Sequence, residues 1–284
     1  MIEIRNKETR EVLERVAAEQ LAGADLRELR LAGADLAGQD LRLTRFDNTD
    51  LSGADLRNAR LDGAVLHGVR LNGADLTGAS LVDARLGAEH RRDAADLHGC
   101  RMAEANLTRA DLRHVRMCES DLHQACFERA DMQDADLSQS DLSGARLCCS
   151  LMIGADLRRS RLQGTDLRDA HLNDANLAGS DLRGADLTSR QVDGFAVINR
   201  ANLRNADLRG AHMVRVWASG TDFAGADLSE ADLTHAVISG SSMRHATLTN
   251  TNLDRVELAT VNLRFANVSE ARNADVPSFK RDLR

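Results

Sequence analysis

From Ala95 to Leu187 every fifth residue is Leu, Met or Phe. The series runs Leu97, Met102, Leu107, Leu112, Met117, Leu122, Phe127, Met132, Leu137, Leu142, Leu147, Met152, Leu157, Leu162, Leu167, Leu172, Leu177, Leu182 and Leu187. The chain is 43% hydrophobic. At that composition chance would produce such a series on the order of once in ten million trials, so the period of five belongs to the fold. The position two before each centre is equally restricted: Ala95, Cys100, Ala105, Ala110, Val115, Ser120, Ala125, Ala130, Ala135, Ser140 and onward to Ala185 are all small.

Neither regular element accommodates this pattern. Residues five apart on a helix sit roughly 140° from one another and make no stripe, and an odd spacing along a straight strand alternates between faces. An extended step fits if it sends the small residue and the large one to the same side, followed by a corner that keeps the next polar residues outside. Repeated corners coil the chain around a narrow axis, and each coil offers backbone partners to the next at about 4.8 Å. The expected class is all-β, one elongated repeat array in place of two ordinary domains.

Composition agrees with that geometry. Aromatics are 2% of the chain, Tyr is absent and the one proline is Pro277. A narrow core explains the few rings, and a backbone that needs its N–H groups for coil-to-coil bonds explains the missing prolines. The net charge of −7 argues against direct nucleic-acid binding and leaves basic proteins as partners. The five cysteines lack Cys-x-x-Cys or Cys/His ligand spacing, so neither a metal site nor another cofactor is expected. Cys100 replaces Ala at an inward position, whereas Cys118, Cys126, Cys148 and Cys149 fall outside the inward set. Met1–Arg10 has no apolar leader run and no stretch approaches a membrane span, which predicts a cytoplasmic protein.

Along the chain, residues 1–20 form an N-terminal capping segment in which Asn6–Gln20 have helical composition. Val12, Leu13 and Val16 lie on one side, and Asn6 is placed as an N-cap; the expectation is a short helix covering the first coil. The array runs from 21 to 268, with one-residue register breaks near 87–96 and 188–202, and a tail at 269–284 caps the last coil or mediates dimer contact. At the first break Arg91 or Arg92 stands where Leu belongs. At the second, Phe195 occupies a slot for Ala and should not fit inside. Trp217, beside a central Ala218, either turns inward or projects as an interface anchor. No catalytic constellation is visible. The many Asp residues fall just before a centre, where a short acceptor bonds turn backbone, and Gly23, Gly33, Gly53, Gly63, Gly73 and Gly144 recur at the corner, where positive φ is useful.

Units such as Ala24-Asp25-Leu26, Ala54-Asp55-Leu56, Ala105-Asn106-Leu107, Ala185-Asp186-Leu187 and Ala226-Asp227-Leu228 resemble the pentapeptide-repeat family. The resemblance implies a right-handed quadrilateral β-helix with four pentapeptides to a coil, about twelve coils and a length of roughly 55 to 60 Å. With four units per coil, residues 20 apart, or 21 apart across a break, should stack. One face then reads Asp35, Asp55, Asp75, Asp96, Arg116, Asp136 and Asp156, a column of carboxylates near the charge spacing of one DNA strand. Several members of the family are DNA mimics that bind DNA gyrase or topoisomerase IV and protect them from toxins, so the resemblance implies a non-enzymatic topoisomerase-binding protein. Members that protect against quinolones carry large projecting loops, whereas the spacing here shows only one-residue insertions. The alternative expectation is a scaffold or regulatory interaction protein. The resemblance also implies pairing of two copies through the C-terminal end.

Overall fold

A computed structural model describes residues 1–189 and 194–275 and divides the chain into two compact units, Met1–Ala145 and Arg146–Arg284. In both units the backbone follows the pentapeptide. The centre lies inside, the next two residues make a corner, and the fourth closes a turn, as where Ala24 N–H donates to Leu21 carbonyl at 3.0 Å. The second corner residue has positive φ, the sign that a type II turn requires at this position. Gly23 (φ 71°) and Gly144 (φ 65°) supply it without strain, as the sequence predicts. Many corners nevertheless use Asn, Asp, Glu or Arg at the same φ, and Leu43 (φ 58°) does so while exposed.

The coils are joined by parallel bridges between residues 20 apart, such as Asp25 with Arg45 and Arg45 with Val65. Four pentapeptides therefore complete one coil. Within each unit centres donate their N–H forward, as Leu26 does to Arg45 carbonyl at 2.8 Å, and the outward residues before them donate backward, as Arg45 does to Ala24 carbonyl at 3.0 Å. All nineteen centres from Leu97 to Leu187 are buried. Polar residues at the inward small position are tolerated because each finds a backbone acceptor. Thr44 Oγ1 donates to Leu21 carbonyl at 2.8 Å, and Ser120 Oγ to Leu97 carbonyl at 3.0 Å. Core width does not exclude phenyl rings, because Phe46, Phe127 and Phe223 are fully buried at centre positions.

The first segment is not helical. Strand β1 (Ile2–Arg5) pairs antiparallel with β2 (Val12–Val16). Alternating Ile2 and Ile4, with the β-branched Val12 and Val16, favour strands, and a hairpin lets the two runs bond each other. Asn6 still caps backbone, its Oδ1 accepting from Glu8 N–H at 2.8 Å and Thr9 N–H at 3.0 Å, but it caps the hairpin loop, which closes through Arg10 at φ 62°. The hairpin is bonded to the first coil: Lys7 N–H donates to Gly33 carbonyl and Asp35 N–H to Arg5 carbonyl, each at 2.8 Å.

The register breaks are larger than one residue. Arg70 bridges Asp96 and Arg85 bridges Asp111, each 26 positions on, before the spacing returns to 20 at Asp96 with Arg116. Six residues have left the coil. Ala88 N–H still reaches Arg113 carbonyl, and Ala95 N–H donates to Leu86 carbonyl at 2.9 Å, the bond that closes an ordinary turn. The inserted residues are thus Glu89–Ala94, which include a short 3-10 turn at Arg91–Asp93. In the second unit His171 bridges Val197 and Asp186 bridges His212, again 26 apart, and Val197 with Trp217 restores 20. Excising Glu89–Ala94 should leave a regular pentapeptide, Leu86-Gly87-Ala88-Ala95-Asp96. The expected loss is no more than about 1–2 kcal/mol, the cost of moving Ala88 into the left-handed region. A thermal melt checks this, and a loss of cooperative unfolding would contradict it.

Candidate functional site

What the coil leaves for function is its outward positions, and the 26-residue coil changes which of them align. Asp35, Asp55 and Asp75 do stack, but the column continues with Arg101, Asp121 and Asp141. Asp96 belongs to a different column with Arg70, Arg116 and Asp136. The expected single file of carboxylates is therefore two columns on different sides of the coil, and Asp156 lies in the other unit. A 21-residue step had assumed a one-residue bulge where six residues loop out.

The carboxylates are also matched by cations. Asp35 meets Arg10, Asp55 meets Arg57 and Asp75 meets Arg101, each at 2.6 Å; Asp96 meets Arg116 at 3.0 Å and Asp156 meets Arg158 at 2.5 Å. Asp75 is only 7% exposed. One oxygen of many of the Asp residues that precede a centre accepts the N–H two residues on, as for Asp55 with Arg57 at 3.1 Å and Asp136 with Ser138 at 3.1 Å. The turn-bonding role read from sequence is what these side chains perform, and the arginines cancel much of the negative field that a DNA-like surface would need.

This pairing sets an acid limit. Arg27 holds the Asp25 carboxyl, and Arg42 the Asp40 carboxyl, down at about 2. Arg57 and Arg209 lower Asp55 and Asp207 below the usual carboxylate range in the same way. A depressed folded value adds stability that is present above the unfolded value and is lost as pH falls through the folded one. The melting temperature should hold steady above about pH 5 and drop between about pH 4 and 2, each exposed pair contributing little by itself. A melt series across that range checks this; an unchanged melting temperature at about pH 2 would contradict it.

The first insertion carries the arginines singled out from sequence. Arg91 reaches Asp136 at 3.3 Å, while Arg92, 82% exposed at its side chain, meets the neighbouring Asp93 at 3.5 Å. In the second unit Trp217 projects. It occupies the outward position while Ala218 is the buried centre, and Phe195, kept out of the core, stacks on it with ring centroids 3.9 Å apart and planes 7° from parallel. Its column is apolar, with Val197 before it and Val237 after it. Sequence reading missed Val237; listing the outward residues at 20-residue steps, corrected to 26 across the break, would have found it.

None of the five cysteines is in a disulfide, and Cys148 is buried despite its corner position. The Cys100 thiol, pushed up to about 12 by burial, donates to Leu71 carbonyl at 3.0 Å. Among the described residues no group of three or more His, Cys, Asp or Glu could hold a metal, and no helix is long and apolar enough to cross a membrane.

Comparison with known proteins returns one family. A family model described as pentapeptide repeats matches in eight copies, over residues 20–58, 49–87, 95–134, 130–164, 150–188, 198–244 and 241–272. Among solved structures, the chain is similar to HetL, a pentapeptide repeat protein involved in heterocyst differentiation regulation from the cyanobacterium Nostoc sp. strain PCC 7120. The identity is 26%, over 88% of this chain and 91% of that one, with a TM-score of 0.44. QnrB1, a plasmid-mediated fluoroquinolone resistance protein, is 16% identical over 86% and 91%, with a TM-score of 0.24. A pentapeptide repeat protein of the Arabidopsis thaliana thylakoid lumen is 25% identical over 54% and 72%, with a TM-score of 0.16. No curated protein matches the chain.

Proposed function

The chain belongs to the pentapeptide-repeat family, and on that basis we propose that it is a non-enzymatic protein-interaction scaffold, its partners bound where the repetition fails. The observation that carries this reading is the closure of the coil beneath the first insertion. Because Ala95 bonds Leu86 as in any other turn, Glu89–Ala94 add nothing to the coil. They add surface, including Arg91 and Arg92, and a regular array has no other address for a partner. Phe195 and Trp217 play the same part at the second break. The domain limits of the sequence reading stay in the proposal: 1–20, now a hairpin, 21–268 and 269–284. So do the right-handed quadrilateral form of the coil and a cytoplasmic location.

A second reading is a topoisomerase protector that binds DNA gyrase or topoisomerase IV by DNA mimicry. The six-residue insertion favours it, since projecting loops are what the quinolone-protecting branch of the family calls for, and so does the net charge of −7. Against it stand the arginines paired with Asp35, Asp55 and Asp75. Direct binding to gyrase at low and high salt, alongside a supercoiling assay with and without a gyrase poison, separates the two. Binding that weakens steeply with salt and falls when all three Asp become Asn supports mimicry. No interaction at low salt removes it and leaves the scaffold reading. Pairing of two copies through the C-terminal end is read by sedimentation; part of that tail, 276–284, lies outside the described residues.

A further inference from the structure

Accepting that the chain binds protein, we infer that the strip formed by Trp217, Val237 and the corner that follows them receives an uncharged, apolar peptide segment of a partner. Trp217 and Val237 are 42% and 43% exposed on adjacent coils. Phe195 stacked on Trp217 fixes the indole in place, which lowers the entropy lost when a partner packs on it. The corner beside them is Ser219, Gly220, Ser239 and Gly240, four small residues without charge in a chain that is 29% charged.

Part of the polar surface of that corner is already occupied. The hydroxyls of Ser219 and Ser239 lie 3.1 Å apart in a hydrogen bond, and Gly240 N–H donates to Thr260 Oγ1 at 3.1 Å. Packing on Trp217 and Val237, both more than two-fifths exposed, is the larger part of what remains on offer. Arg215 and His235 bound the strip on the other side, and the exposed Glu257 holds the next outward position along the array. Two large side chains on coils about 4.8 Å apart fall far below the roughly 800 Å² per partner of a standard interface. A few residues of peptide match that size, whereas a second folded copy does not.

Selection of random peptides displayed on phage against the full-length chain tests this. Binders should be rich in aliphatic and aromatic residues without a charged consensus, should hold their affinity from low to high salt, and should quench or shift the fluorescence of Trp217, the single tryptophan of the chain. Trp217→Ala should weaken them roughly tenfold or more, as for a hot-spot aromatic. Gly240→Asp should do the same by adding charge, and the fold will accept it. A Cβ at Gly240 has nothing within 4 Å, and Asp83, Asp134 and Asp169 hold the same positive φ. A charged consensus, salt-sensitive binding, equal binding to both variants, or no peptide enriched over background would overturn the inference. If peptides bind here while gyrase does not, mimicry falls and the strip stands; if gyrase binds and peptides do not, the strip alone falls.

Discussion

Leu142→Asp is expected to abolish cooperative folding of the unit that contains it. Leu142 has no exposed surface and sits at a centre position, where the inward residues of the repeat are apolar or small. The new carboxylate would have no donor inside, and burying an unpaired charge costs several kcal/mol. A typical domain has about 5–15 kcal/mol in all. Leu142→Met, close in volume, should cost less than about 1.5 kcal/mol. Circular dichroism and thermal melts of both variants check the prediction, and a wild-type melt for the Asp variant would contradict it.

Val65→Pro probes the backbone instead of the core. Val65 points outward and its N–H donates to the carbonyl of Thr44, a fully buried residue, at 3.0 Å. Proline removes that donor, and a buried acceptor left without a partner costs about 1–3 kcal/mol, to which the ring's steric demands add. Val65→Ala keeps the N–H and loses only an exposed edge of side chain. Denaturant unfolding of the two should differ by at least the orphaned bond; equal stabilities would mean that coil-to-coil bonds are not what excludes proline from the array.

The core was legible in the sequence because its rule is strict: every inward position repeats with the same spacing, and the structure buries each centre from Leu97 to Leu187. The corner glycines and the turn-bonding Asp residues were legible for the same reason, since each role recurs at one place in the unit. What spacing cannot supply is length beyond the period. Leu86 to Leu97 is eleven residues whether one residue bulges or six loop out, because the count is known only modulo five. Arg91 or Arg92 in a core slot was the available sign that this stretch was no pentapeptide, and taking the smaller insertion misaligned Asp96 and Asp136 with the acidic column. The N-terminal error had a different origin. Residues 6–20 carry charge at helical density, but the strand alternation begins at Ile2 and Ile4, and the pairing partner for Val12–Val16 is that upstream strand, Ile2–Arg5, which lies outside the stretch read as helical. Trp217, left open between core and surface, is resolved by Ala218 taking the centre.

Amide hydrogen exchange in the first unit tests most directly the claim that its coils continue past the first insertion and that this insertion is added surface. Ala95, Asp96 and Leu97, whose N–H groups bond Leu86, Val69 and Arg116, should exchange as slowly as the corresponding amides of coils without an insertion, while Glu89 to Arg92 exchange fast. Fast exchange extending from Leu86 through Leu97 would show instead that the array is interrupted there, and the insertion could no longer be read as a surface carried by an intact coil.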